Sequence, residues 1–217
     1  MENKNNQIKM HLYDEKEEKL NTISHGVAAV LSFIGLVFMI IRISHAEILV
    51  VFSMMIFMLS MLSVYSASTI YYGTKNLLKK RIWQKVDHAM VALIFAGVAT
   101  PLLLVISSGT VATIMLTLVI FGTALIIGLN LICVQRFKKH CLILHLLVTI
   151  FIIIGLIVDG KSVSTMFMRL LYSAFAIIII GGYFYLNKAR KYTHFIWHIT
   201  NILSTILIFF AFYLYAI

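Results

Sequence analysis

Thr193-His194-Phe195-Ile196-Trp197-His198 opens the last apolar run of the chain, which continues to Ile217. A helical run of about 20 apolar residues is long enough to cross a bilayer. The two histidines are four residues apart, so a helix brings both imidazoles to one face, with their Cβ atoms roughly 6 Å apart. Two imidazoles in this arrangement can share one metal ion. Because ionisable side chains at membrane depth are costly, the pair is a candidate functional site.

The composition of the whole chain is typical of a membrane protein with several spans. Of the 217 residues, 61% are hydrophobic and 12% are charged, whereas a soluble domain is about a quarter charged. The net charge of +10 lies in short clusters between apolar runs, which favours contact with a membrane surface over nucleic-acid binding. Cys133 and Cys141 flank a basic segment and do not indicate a disulfide framework. The polar, partly acidic start of the chain does not resemble a cleavable signal peptide.

Seven apolar runs are long enough to form transmembrane helices, and we predict an all-α fold with seven spans in the cell membrane. The runs lie near residues 23–43, 48–72, 89–107, 111–134, 142–158, 165–185 and 193–217. Residues 1–20 are predicted to be a cytoplasmic tail and residues 21–217 a single transmembrane domain. Eleven lysines and arginines lie in the links after the second, fourth and sixth runs, against two, Arg42 and Lys161, in the alternate links. Because basic links face the cytoplasm, we expect the N-terminus inside and the C-terminus outside.

This topology brings polar side chains from four different spans to the cytoplasmic end of the bundle. The residues are His25 in the first span, Ser68 and Tyr72 in the second, Asp87 and His88 in the third, and His194 and His198 in the seventh. Polar groups inside a bundle face one another or a water-filled cavity. The opposite end has little comparable beyond His45, Glu47 and Asp159 in short links. This asymmetry predicts one shared site, and a metal centre is the interpretation we favour.

Five short motifs follow one another along the spans. They are Asn21-Thr22-Ile23-Ser24-His25-Gly26 after Glu17-Glu18, Ser68-Thr69-Ile70-Tyr71-Tyr72, Asp87-His88 with Ala96-Gly97 and Thr100-Pro101, Gly181-Gly182-Tyr183-Phe184-Tyr185, and His194-Phe195-Ile196-Trp197-His198. Together they resemble the haemolysin III family, which belongs with the progestin and adipoQ receptors. The resemblance covers nearly the whole chain after the tail. It implies a seven-span protein with its N-terminus inside and a zinc ion near the cytoplasmic side.

The resemblance also implies roles for individual residues. In the family, zinc is held by one histidine of the second span and two of the seventh, and a serine and an aspartate help to hold a zinc-bound water. Carried over to this chain, the metal ligands are His194 and His198, and the supporting catalytic pair is Ser68 and Asp87.

The chain departs from the family pattern at Tyr72, which stands where the second-span histidine is expected. A neutral phenol, with an ordinary pKa near 10, is a poor zinc ligand. Three alternatives follow. Tyr72 binds as a phenolate, or His88 or His25 supplies the third nitrogen, or the site is a polar pocket without a metal.

Each of three histidines also has an interpretation without a functional role. His25 could be an interfacial residue at a helix start. His88 could form a buried ion pair with its neighbour Asp87. His194 could lie at the headgroup level beside the basic residues Lys188, Arg190 and Lys191.

Three functions are compatible with these features. The first is a zinc-dependent membrane hydrolase acting on a lipid-like amide or ester, in which Asp87 orients or deprotonates water and Ser68 supports it. The substrate class follows by analogy, since receptors of the wider family look related to ceramide-cleaving enzymes. The second is a lipid-binding sensor or structural membrane protein. The third is a cytolytic protein, as the family name suggests, although the uniformly apolar spans do not resemble an amphipathic pore-forming segment. The expected partners are membrane lipids, with a lipid-like substrate and no nucleic acid.

Overall fold

The fold is a bundle of long helices. A computed structural model describes residues 14–160, 163–186 and 191–216. The helices are α1 (Glu15–Ile43), α2 (Ile48–Gly73), α3 (Leu77–Pro101), α4 (Thr110–Asp159), α5 (Thr165–Leu186) and α6 (Thr193–Tyr215). After Pro101, α3 continues as a π-helical segment, Leu102–Ile106.

All six of these described helices are long and apolar enough to cross a membrane. Their outer faces carry large hydrophobic side chains, of which Phe121, Ile157 and Ile179 are each about three-quarters exposed. Contact with lipid chains accounts for these apolar faces, because exposing so many large apolar side chains to water would be unfavourable. The predicted class, an all-α membrane protein with several spans, is confirmed.

Helix α4 is folded back on itself near its middle. Its 50 residues contain one residue with non-helical backbone angles, Cys133, at φ −161° and ψ 102°. The backbone N–H of Ala112 donates a hydrogen bond to Asp159 Oδ2 at 2.7 Å, and a Cβ atom at Gly122 would touch Val148. These contacts join residues from opposite halves of α4, so the chain reverses direction at the break and the two halves run antiparallel. The predicted runs 111–134 and 142–158 correspond to these halves.

The helices pack side by side in the order α5, α6, α1, α2, α3 and α4, and all six line a central cavity. Helix α1 packs against α2 and α6, α2 against α3, α3 against α4, and α5 against α6. Two glycines permit the closest approaches: a Cβ at Gly97 would overlap the Ser60 hydroxyl of α2, and a Cβ at Gly181 would overlap the Thr200 hydroxyl of α6. Small residues at such crossings are typical of membrane helix pairs.

The basic residues between α2 and α3 and around the break in α4 lie at one end of the bundle, which we call the basic end. Lys80, near the start of α3, donates to the Thr74 carbonyl beyond α2 at 3.2 Å and pairs with Glu18 of α1 at 3.0 Å. Lys138, just after the break in α4, lies over the ring of Tyr185 near the end of α5, 5.4 Å from its centroid. The predicted grouping of these links at one end is therefore present among the described residues. The basic residues Lys161, Lys188 and Arg190 lie outside the described ranges.

Helix α1 begins earlier than the sequence indicated. Its first residue is Glu15, whereas the first span was predicted to start near residue 23. Glu17 and Glu18, which were assigned to the tail, therefore lie on α1, and Glu17 is buried. The remainder of the predicted tail, residues 1–13, is outside the described part of the chain.

Candidate functional site

Three donor atoms from α2 and α6 converge at the basic end of the bundle. Tyr72 Oη lies 2.8 Å from His194 Nε2 and 2.8 Å from His198 Nε2. The two Nε2 atoms are 2.9 Å apart. The four-residue spacing of the histidines on α6 brings both rings to the same face, as the sequence predicted. The last turn of α2 adds the phenol, which is buried.

Tyr72 Oη, His194 Nε2 and His198 Nε2 form what we call the donor triangle. Its three contacts cannot all be hydrogen bonds at once. A phenol carries one proton, and each Nε2 either donates or accepts but does not do both. At most two of the three edges can therefore be hydrogen bonds, which leaves one edge as a close approach of polar atoms. A cation between the three atoms would instead accept all three lone pairs, provided that the phenol had lost its proton.

Helix α1 also borders the site, through His25. The His25 ring is 3% exposed, stacks nearly parallel to the Tyr72 ring at 5.9 Å, and meets the His198 ring edge-on at 4.6 Å. Both of its ring nitrogens are buried without a hydrogen-bond partner in the described structure, as are both polar atoms of Asn21 one turn earlier. Buried polar atoms are normally paired. These four side-chain atoms on α1 are therefore available to hydrogen-bond water or a polar group of a ligand.

Asp87 and Ser68 form a buried pair between α3 and α2. The Ser68 hydroxyl donates a short hydrogen bond to Asp87 Oδ1, and the two residues are 4% and 2% exposed. The contact fixes the orientation of the carboxylate.

His88 does not join the donor atoms of Tyr72, His194 and His198. Its Nδ1 is 2.9 Å from the Gln84 carbonyl oxygen and 3.3 Å from Asp87 Oδ2. Its ring is thus held by α3 itself, and the structure brings Tyr72, not His88, to the histidine pair.

A cavity of about 170 Å³, the central cavity, is lined by part of this site, and all six helices contribute to its wall. Its polar side chains include those of His25, Ser68, Asp87, His198 and Asn201. The rest of the wall is largely apolar and includes Phe95, Ile152 and Phe175. A cavity with a few polar groups and otherwise apolar walls suits a ligand that has a polar head and an apolar tail.

A second, larger space of about 410 Å³ lies between α1, α2 and α6 and is lined almost entirely by apolar side chains. Tyr65 and Thr205 line both this groove and the central cavity. The Tyr65 and Thr205 hydroxyls are hydrogen-bonded to each other. This pair therefore stands between the two spaces.

The structure brings most of the predicted site residues close together, but not as a group of acidic, histidine or cysteine ligands. Among the described residues, no group of three or more His, Cys, Asp or Glu side chains is arranged to hold a metal ion, because the third donor beside the histidines is a phenol. Sequence reasoning also passed over Glu17 and Asn21. The available signal was their spacing, since residues 17, 21 and 25 recur every four positions and share the buried face of α1.

Comparison with known proteins identifies relatives of this chain. Residues 13–209 match the family described as "Haemolysin-III related". The chain is similar to the "Hemolysin-3" protein of Bacillus cereus, with 27% identity over 207 residues that cover 93% of each chain. It is also similar to the "Hemolysin-3 homolog" of Bacillus subtilis (strain 168), with 30% identity over 191 residues, or 86% of this chain and 88% of that one.

The fold and these matches define a helical membrane protein with several spans. The chain belongs to the haemolysin III family, and the resemblance drawn from its motifs is confirmed.

Proposed function

We propose that the chain is a zinc-binding membrane protein in which Tyr72, His194 and His198 hold the metal. The observation that carries the proposal is the convergence of their three donor atoms, 2.8–2.9 Å apart. Donors around a tetrahedral zinc ion, at about 2.0 Å from it, are roughly 3.3 Å apart. Binding therefore requires each edge of the triangle to open by about 0.5 Å, which small side-chain rotations can supply.

We further propose that the site hydrolyses a lipid-like amide or ester. A zinc ion bound there would polarise the carbonyl group and activate water for attack. Asp87 would accept a proton from the attacking water and return it to the leaving amine or alcohol as the C–N or C–O bond breaks, which releases the carboxylic acid. Ser68 would hold the Asp87 carboxylate in place through its hydrogen bond. The apolar wall of the central cavity would receive the acyl part of the substrate.

Hydrolysis is tested with a fluorogenic long-chain acyl amide or ester in detergent micelles. Asp87→Asn removes the proton acceptor, and we expect it to lower the turnover rate at least 100-fold, about 2.7 kcal/mol in activation free energy, while zinc remains bound. Glu47→Gln is the matched control, because this carboxylate lies at the opposite end of α2 and is exposed. Zinc-loaded protein that binds such amphiphiles without turnover would favour a lipid-binding sensor instead.

The proposed topology has seven spans, with each half of α4 crossing the membrane, in the cell membrane with the N-terminus inside. The antiparallel contacts between the halves support it. Two reporter fusions test it, one at residue 137 and one after Ile217, each with a reporter active only in the cytoplasm and one active only outside. We expect residue 137 to be cytoplasmic and the C-terminus to be outside. An even number of spans would bring both termini to the same side and would contradict the proposal.

A further inference from the structure

Helix α6, which carries both histidines, begins without a cap of its own. Tyr192, the residue before its first turn, has a left-handed backbone with φ 64° and makes no side-chain capping hydrogen bond. The first backbone N–H groups of a helix have no partner within the helix, and the helix dipole makes this end positive. At this half-buried helix start, an acceptor from elsewhere in the protein therefore stabilises the helix.

That acceptor comes from the far end of the sequence. Glu17 Oε1 on α1 accepts a hydrogen bond from the backbone N–H of Phe195 at 3.2 Å. Glu17 is only 7% exposed, so its contact with the positive end of α6 is little screened by solvent. Phe195 lies between His194 and His198, and the bond thus anchors the turn on which both imidazoles stand.

The neighbouring carboxylate anchors the other half of the site. Glu18 Oε2 pairs with Lys80 Nζ at 3.0 Å, and Lys80 is 2% exposed. Lys80 Nζ also donates to the carbonyl oxygens of Tyr72 at 3.4 Å and Thr74 at 3.2 Å. The lysine therefore satisfies carbonyl groups at the end of α2, where the helix has no further N–H groups to pair with them.

We propose that Glu17, together with the Glu18–Lys80 pair, positions the donor triangle without touching a metal. Adjacent carboxylates on α1 hold the start of α6 and, through Lys80, the end of α2. These are the two segments whose separation decides whether Tyr72 Oη meets the histidine nitrogens. The inference rests on the proposed zinc site, and it assigns to α1 the alignment of that site.

The test compares three variants of the full-length protein by chelator competition for zinc. Glu17→Ala removes the acceptor, and we expect zinc affinity to fall about tenfold, as for other residues that orient a metal ligand. Glu17→Gln keeps an oxygen for the Phe195 N–H and loses only the charge, so its affinity should stay within about threefold of the parent. Glu15→Ala is the matched control, because Glu15 lies in the same turn and is exposed. If Glu17→Ala binds zinc as tightly as Glu15→Ala, the proposal is overturned.

A readout without metal separates this proposal from the proposed function. Amide hydrogen exchange of the segment 193–198 in zinc-free protein should be faster in Glu17→Ala than in Glu15→Ala, because the Phe195 N–H has lost its partner. Faster exchange in Glu17→Ala, combined with a parent that never binds zinc, would refute the zinc site and leave the anchoring role of Glu17 standing. Unchanged exchange would refute that role even if zinc binds. If Glu17→Ala does not fold, chelator competition on Lys80→Met decides, because Lys80 holds the end of α2. Reduced zinc affinity is expected, and unchanged affinity contradicts the proposal.

Discussion

His198→Ala is expected to lower zinc affinity at least 100-fold, about 2.7 kcal/mol. The substitution deletes one of three donor atoms and leaves a buried void beside the His25 ring, which lies 4.6 Å from the His198 ring. Zinc affinity measured by competition with a chromogenic chelator checks the result.

The matched control for this loss is His140→Ala. His140 is exposed on α4 after the break, so its removal should leave zinc affinity unchanged. Thermal unfolding in detergent supplies a second comparison. Added zinc should raise the unfolding temperature of the parent and of His140→Ala, and should raise that of His198→Ala much less, because only a bound ligand stabilises the folded state. Equal zinc-induced shifts in all three proteins would contradict the proposed ligand set.

Tyr72→His is expected to raise zinc affinity at least tenfold, about 1.4 kcal/mol. A neutral imidazole offers its lone pair at neutral pH, whereas a phenol must lose its proton before it binds. The position is suitable, because Tyr72 Oη is already 2.8 Å from both histidine nitrogens. An imidazole is shorter than a phenol, so the end of α2 must move slightly toward α6 for the third bond to form.

Three further variants make the Tyr72 result interpretable. Tyr72→Phe removes the oxygen and should weaken zinc binding. Tyr71→Phe, in the adjacent buried tyrosine whose hydroxyl accepts from Gln84 at 3.3 Å, should not. His88→Ala should also leave affinity unchanged, since that ring is held by the Gln84 carbonyl and Asp87. Loss of zinc in His88→Ala with no effect of Tyr72→Phe would identify His88 as the third ligand and refute the triangle.

Most of the fold could be predicted from hydropathy, because each lipid-facing helix must be apolar over its whole length. The grouping of Tyr72, His194 and His198 near Asp87 could also be predicted, since alternating spans bring their polar ends to one side of the bundle. The geometry of the break in α4 could not. The basic segment around Arg136 suggested a link between two helices, whereas the chain stays helical there and reverses direction at Cys133 alone.

Two contacts at the site lay beyond what sequence patterns can indicate. The Glu17 carboxylate was assigned to the tail, yet it accepts a hydrogen bond from the backbone N–H of Phe195, 178 residues further along the chain. Periodicity places a residue on a face of its own helix and says nothing about a partner so distant. The choice between Tyr72 and His88 as neighbour of the histidines likewise depended on side-chain direction, which the spacing of residues in α2 and α3 left open.

We propose that two histidines and a tyrosine of this chain hold zinc. Elemental analysis of the full-length protein, purified without chelator, tests it most directly, alongside the double variant His194→Ala/His198→Ala prepared in the same way. We predict about one zinc ion per parent chain and almost none in the double variant. A parent that contains no zinc and takes up none on addition, or a double variant that retains as much zinc as the parent, would contradict the account.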